Sequence, residues 1–154
     1  MANPLQMLKL KPAAHQFIVE VPINAAPKKV WSTLVNPNKW FFFDPDKTKR
    51  SKHTLDLSPG GLWTGRHPSG SGTLMGTVTY YEPGKLLRVA GPLGMSHLAT
   101  NNLIIFELQP SADGKTTTLR VGTRLFGFLD KDAKTRIGGA WERVLGNLKV
   151  AAEG

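Results

Sequence analysis

The sequence contains no cysteine. That excludes disulfides and thiolate metal sites and leaves the redox compartment unread. It also lacks any apolar run near the roughly 20 residues that cross a bilayer as a helix, so no transmembrane segment is expected. Residues 1–14 include Lys9, Lys11 and Pro12 but no long apolar core, which makes a poor secretory signal. A cytoplasmic location is the expectation, with an export signal removed ahead of residue 1 as the alternative. Acidic residues are few: 11 against 20 Lys and Arg, for a net charge of +9. Such a balance suits an anionic membrane surface or an acidic protein partner. The positive charge is spread along the chain, so specific nucleic-acid binding is not expected. Gly-x-Ser-x-Gly, His-Glu-x-x-His and a Gly-rich phosphate loop are all absent. The four histidines, His15, His53, His67 and His97, stand far apart. Neither a metal nor a cofactor is expected, and no catalytic residue is assigned.

What is present is one long amphipathic stretch near the end. Between Asp130 and Glu153, residues Ile137, Trp141, Val144, Leu145, Leu148 and Ala152 recur at steps of three and four. That spacing predicts one apolar helix face, on a helix about 30 Å long. Asp130 or Asp132 is placed to cap its start. Such a stripe needs a broad apolar partner, and the preceding hundred residues read as strands. Gly138 and Gly139 interrupt the helix at a cost of up to about 1 kcal/mol each. They fit either close packing of helix on sheet or open space beside Trp141, and a gap between sheet and helix is a place for a ligand.

The remaining chain alternates between strands and turns. In His15–Asn24, Phe17, Val19, Val21 and Ile23 share one face. Asn24 and Pro27 signal a helix start, and Asn36-Pro37 ends that helix. Trp40, Phe41, Phe42 and Phe43 follow. Four consecutive aromatics cannot all face one core, so the expectation is a short second helix or turn plugging the sheet, with one or two rings walling a pocket. Lys47–His53 is the densest basic run and leads into a strand at Thr54–Leu57. It reads as a solvated edge or as an anion or phospholipid headgroup site. Strands are predicted at Leu62–His67, Thr73–Glu82, Leu86–Ala90, Asn102–Gln109 and Thr116–Phe126, joined by Gly- and Pro-rich turns. Between Gly91 and Thr100 lies an apolar connection carrying Leu93, Met95 and Leu98, which fits a cavity lid. The order predicts an antiparallel α+β domain over residues 15–154, preceded by an irregular arm over 1–14. Arg66 and His97 are the candidate polar contacts, one at a strand end and one in the lid.

Several stretches together resemble a known superfamily. They are Val21–Pro37 with Trp40, Pro59–Trp63, Gly76–Leu87 and Gly138–Lys149. In order and spacing they resemble the START-like, or SRPBCC, helix-grip domains, which include the Bet v 1-like birch-pollen allergens. Within that superfamily the chain is most similar to the branch related to the activator of the heat-shock chaperone ATPase. The resemblance implies a curved seven-stranded antiparallel sheet gripping the C-terminal helix, with two short helices between strands 1 and 2. It also implies a cavity between sheet and helix for a hydrophobic or amphipathic small molecule, lipid-like or aromatic. Carried onto this chain, the cavity wall would be Trp40, Trp63, Met75, Leu93, Met95, Leu103, Ile105, Val121, Leu125, Trp141 and Leu145. Strand parity independently assigns Leu103, Ile105, Val121 and Leu125 to inward faces. A cyclase- or hydrolase-type enzyme using a polar group in that cavity, or a chaperone- or stress-related interaction module, are the alternative readings.

Overall fold

The computed structural model describes residues 10–96 and 99–154. The alternating stretches form seven strands: β1 (Pro12–Ile23), β2 (Lys52–Leu55), β3 (Leu62–Arg66), β4 (Gly72–Glu82), β5 (Leu86–Gly91), β6 (Thr100–Pro110) and β7 (Thr117–Phe128). They make one antiparallel sheet in the order β1-β7-β6-β5-β4-β3-β2. Helix α1 (Pro27–Leu34) follows β1, and helix α2 (Ala133–Glu153) ends the fold. β1 begins earlier than the expected arm allows, because Pro12, Ala13 and Ala14 pair with Phe128, Gly127 and Phe126. Register shifts at Trp63/Thr64 and at Val78/Tyr80 bend the sheet, as bulges do.

The stripe of α2 is buried against the concave face of the sheet as its spacing predicts. Full burial of side chains such as Ile137, Leu145 and Leu148 contributes roughly 1.5–3 kcal/mol each. Opposite them stand Ile104 and Phe106 of β6 and Leu119, Val121 and Leu125 of β7, all buried. Leu103 and Ile105 do not join them: they are 48% and 41% exposed on the outer face. Four apolar residues in a row, Leu103 to Phe106, leave parity open. Glu107 decides it, since its carboxylate meets Arg120 at 3.5 Å on the outer face, where Arg120 also meets Glu20 at 3.1 Å. Leu103 and Ile105 share the parity of Glu107 and lie opposite Arg124 and Gly122.

Three details of the helices differ from the expectation. α1 starts after Ala26 rather than at Asn24, and no side chain caps it. The Asn24 N–H instead donates to Glu153 Oε1 at 2.8 Å, tying the end of β1 to the end of α2. α2 starts at Ala133 with Asp132 uncapping at its head. Asp130 organises that start from outside, accepting Asp132 N–H at 3.0 Å and Arg136 at 3.2 Å. Finally, Gly139 faces solvent with open space around it, whereas a Cβ on Gly138 would lie 3.5 Å from Phe17. The first is merely exposed and the second permits ordinary helix–sheet contact, so neither opens a gap beside Trp141.

Candidate functional site

The aromatic segment is held open by polar side chains of α2. After α1 the chain makes a single 3-10 turn at Pro37–Lys39 and another at Lys47–Lys49. Between them, Asn147 Nδ2 donates to the carbonyls of Trp40 (3.2 Å) and Phe42 (2.9 Å), and Arg143 donates to that of Phe43 (2.6 Å). Those carbonyls are thereby satisfied without a continuing helix. The four rings then separate. Trp40 turns into the core, and its indole N–H donates to the Leu34 carbonyl at 3.0 Å. Phe43 remains 45% exposed. Phe41 lies between them, edge-on to five rings: Trp63 at 5.1 Å, Trp40 at 5.5 Å, His53 at 5.6 Å, Phe43 at 6.0 Å and Trp141 at 6.3 Å. Edge-to-face contacts in this range are favourable.

A cavity of about 200 Å³ opens on one side of Phe41. Phe41 and Phe43 form one wall, Leu93, Gly94 and Met95 a second, and Ile137, Ala140, Trp141 and Val144 of α2 a third, with Arg136 as the charged member. A dry cavity of about 150 Å³ already accepts a benzene-sized guest. The connection over it is pinned by Leu93 N–H donating to the Met75 carbonyl at 2.7 Å. Leu93 is buried at φ 47°, a left-handed conformation that costs a non-glycine residue on the order of 1–3 kcal/mol. That strain places an apolar side chain against the cavity.

A second cavity of about 300 Å³ shares Phe41, Phe43 and Gly94 with the first and adds Asp44, Arg50, Ser51, His53, Thr73 and Met75. Its wall holds the best-fixed polar group of the region. His53 is 8% exposed, and its Nδ1 accepts the Trp63 Nε1–H at 3.1 Å. Asn38 grips the His53 backbone from both sides, accepting its N–H and donating to its carbonyl, each at 2.8 Å. Gly65 makes room for the ring, since a Cβ there would approach Cε1 to 3.1 Å. Burial lowers the His53 pKa, so the imidazole is neutral at neutral pH. Because Nδ1 accepts, the proton sits on Nε2. Beside it, Arg50 lies 3.5 Å from the centre of the Phe42 ring and donates to the carbonyls of Asp44 (2.6 Å) and Pro45 (3.0 Å).

Arg50 also borders a third, basic cleft of about 500 Å³, with Lys47, Lys52, Arg66 and His67 around it and Pro68 and Gly70 completing its lining. Lys52 and Arg66 are direct cross-strand partners on β2 and β3. Among the described residues no carboxylate pairs with Lys47, Lys52 or Arg66.

Of the eleven wall residues carried over from the resemblance, Leu93, Met95 and Trp141 lie on the first cavity and Met75 on the second. Trp40, Trp63, Val121, Leu125 and Leu145 are buried in the packed core, and Leu103 and Ile105 are outside it. Arg66 belongs to the basic cleft, not to either of the two cavities beside Phe41. His97 and Leu98 lie outside the described residues. Sequence reasoning did not single out Phe41, Ile137 or Ala140 as wall residues, nor His53 as a cavity group.

A curved antiparallel sheet closed by a long C-terminal helix, with a cavity at their junction, is the helix-grip architecture of the SRPBCC superfamily. The chain belongs to the polyketide cyclase/dehydrase and lipid transport family, whose model matches residues 14–153. It is similar in fold to an uncharacterized protein from Rhizobium leguminosarum, with TM-score 0.71 and 19% identity over 93% of this chain and 97% of that one. A protein of unknown function from Staphylococcus aureus gives TM-score 0.69 and 14% identity over 93% and 96%. CalU16 from Micromonospora echinospora gives 0.58 and 18% over 92% and 85%. No curated protein matches the sequence. Among the described residues, no helix is long and apolar enough to cross a membrane.

Proposed function

We propose that this protein binds a hydrophobic or amphipathic small molecule, lipid-like or aromatic, in the cavity walled by Phe41, Leu93 and Trp141. The observation that carries this reading is an apolar cavity built from three separate parts of the chain, one of them held in a strained backbone conformation. Burial of apolar surface supplies about 25 cal/mol per Å² before ordering costs. The family description, which spans polyketide chemistry and lipid transport, accords with an apolar guest. Native mass spectrometry of the purified protein, followed by denaturing extraction, tests for a co-purifying apolar molecule. Calorimetric titration with 2-acetylnaphthalene tests the place: Ala140→Phe, which projects a ring into the cavity, is expected to weaken binding at least tenfold. Unchanged affinity in that variant would move the ligand elsewhere.

The basic cleft supports a second element of the same reading. Lys52 on the edge strand β2 and its β3 partner Arg66, cations without a carboxylate partner among the described residues, suit contact with an anionic membrane surface from which an amphipathic guest is taken. The measurement that tests this is vesicle binding.

A further inference from the structure

We infer that His53 is the polar selector of the ligand, donating its Nε2–H to a neutral acceptor oxygen, carbonyl or phenolic, on a molecule whose apolar part lies against Phe41. This rests on the cavity reading above and adds to it a chemical requirement on the guest.

The argument begins with hydrogen-bond accounting. Buried polar groups are nearly always paired, and the two ring nitrogens of His53 differ in this respect. Nδ1 of His53 is paired with Trp63. Nε2 has no acceptor among the described residues and is not one of the fully enclosed polar atoms left unpaired, so it keeps access to open space, and the residue forms part of the second cavity's wall. The ring cannot exchange roles between its nitrogens while Trp63 donates to Nδ1, so the group offered to the cavity is a donor. Free histidine offers either a donor or an acceptor; here the choice has been made by the fold.

The local construction is also more elaborate than packing requires. Asn38, reaching from the 3-10 turn after α1, fixes the His53 backbone at both ends. Gly65 gives up a side chain to admit the imidazole edge. Phe41 and Trp63 hold its faces and edges at 5.6 and 6.0 Å between centroids. A leucine would fill the same space with no polar atom to satisfy. Four residues from two parts of the chain instead hold one imidazole in one orientation and one tautomer. Such fixation is what a recognition donor needs, because a group built to hydrogen-bond a ligand discriminates against analogues that leave it unpaired.

The surrounding charges favour a neutral acceptor. Lys49 and Arg50 border the cavity, but so does Asp44. Lys49 lies 3.8 Å from Asp46, and the Arg50 guanidinium is spent on two backbone carbonyls. A ketone, ester or phenol oxygen therefore matches the site better than a dianionic phosphate. Phe41, shared by both cavities, marks where the apolar body of the guest ends and the oxygen-bearing end begins.

The test compares 2-acetylnaphthalene with 2-isopropylnaphthalene, which has nearly the same shape without the oxygen, by calorimetry on the wild type and on His53→Phe. The ketone's affinity relative to the hydrocarbon is expected to fall roughly fivefold in the variant. In parallel, long-range proton–nitrogen NMR of the wild type should show the Nε2–H tautomer and a shift of that resonance with the ketone but not with the hydrocarbon. This arm decides the matter if the variant does not fold. An unchanged ketone preference, or an Nε2 resonance that ignores the ketone, overturns the assignment to His53 and leaves the cavity reading standing. Failure of both compounds to bind the wild type overturns the cavity reading and this inference with it.

Discussion

Trp63 and His53 face each other across the β2–β3 pair, indole Nε1–H to imidazole Nδ1, at 3.1 Å and out of solvent. Neither is independently replaceable. Trp63→Phe removes the donor, leaves Nδ1 buried without a partner and vacates part of a packed volume. The expected loss is about 2–4 kcal/mol of stability. In a urea-denaturation cycle, Trp63→Phe combined with His53→Phe should cost less than the sum of the two single changes. Simple additivity would mean that the pair is not coupled.

The same pair sets a pH dependence. Burial depresses the His53 pKa below its ordinary 6.5, so between 6.5 and the depressed value the unfolded chain binds more protons than the folded one. Stability is then full above about pH 6.5, declines as pH falls through that window, and stops declining on this account below the folded-state pKa. Denaturation midpoints from pH 8 to 5 check the sign, and His53→Phe should flatten the profile. A wild-type profile that rises toward pH 5 would contradict the neutral imidazole.

Asn147 carries the two carbonyls that keep the aromatic segment open. Asn147→Ala should cost about 1–3 kcal/mol and weaken binding of 2-acetylnaphthalene, since Phe41 would lose its footing. A variant with wild-type affinity would show that Phe41 is held by ring contacts alone.

Gly139 offers the opposite case. It is exposed and helical with nothing near its missing Cβ, so Gly139→Ala should stabilise the fold by up to about 1 kcal/mol and leave ligand affinity alone. Reduced affinity there would place the cavity on the other side of α2.

Lys52→Glu with Arg66→Glu reverses the charge of the cross-strand pair in the basic cleft. Binding to vesicles containing phosphatidylserine should fall more than tenfold, at about 1 kcal/mol for each basic residue near the surface, and raised salt should weaken the wild type likewise. Wild-type protein that ignores such vesicles at low salt would remove the membrane reading.

The fold was legible because its periods are clean. Phe17, Val19, Val21 and Ile23 alternate, and Ile137 to Ala152 step by three and four, which leaves few partners for either surface. Parity failed in β6, where four consecutive apolar residues carry no phase and the deciding contact, Glu107 with Arg120, spans strands. The site was legible only in outline. That one or two of four aromatics would wall a pocket follows from geometry. Which ones do so depends on Trp40 finding the Leu34 carbonyl and on Asn147 arriving from over a hundred residues away. His53 was hidden at the end of a basic run. Its burial is set by Asn38, Gly65 and Trp63, none of which alters its local pattern. Ala140 carries no signal at all, because a small residue on a helix marks space only once the opposing wall is known.

The rings gathered around Phe41 have an optical consequence. Trp40 and Trp63 lie 6.1 Å apart, inclined at 52°, a separation and skew at which the transition dipoles of two indoles couple as a chiral pair. Trp141 also packs edge-on with Phe41 and forms part of the cavity wall. The near-ultraviolet circular dichroism of this protein should therefore contain an exciton couplet whose amplitude tracks the position of Phe41. Occupancy of the cavity would be written into the protein's own spectrum, readable without a label.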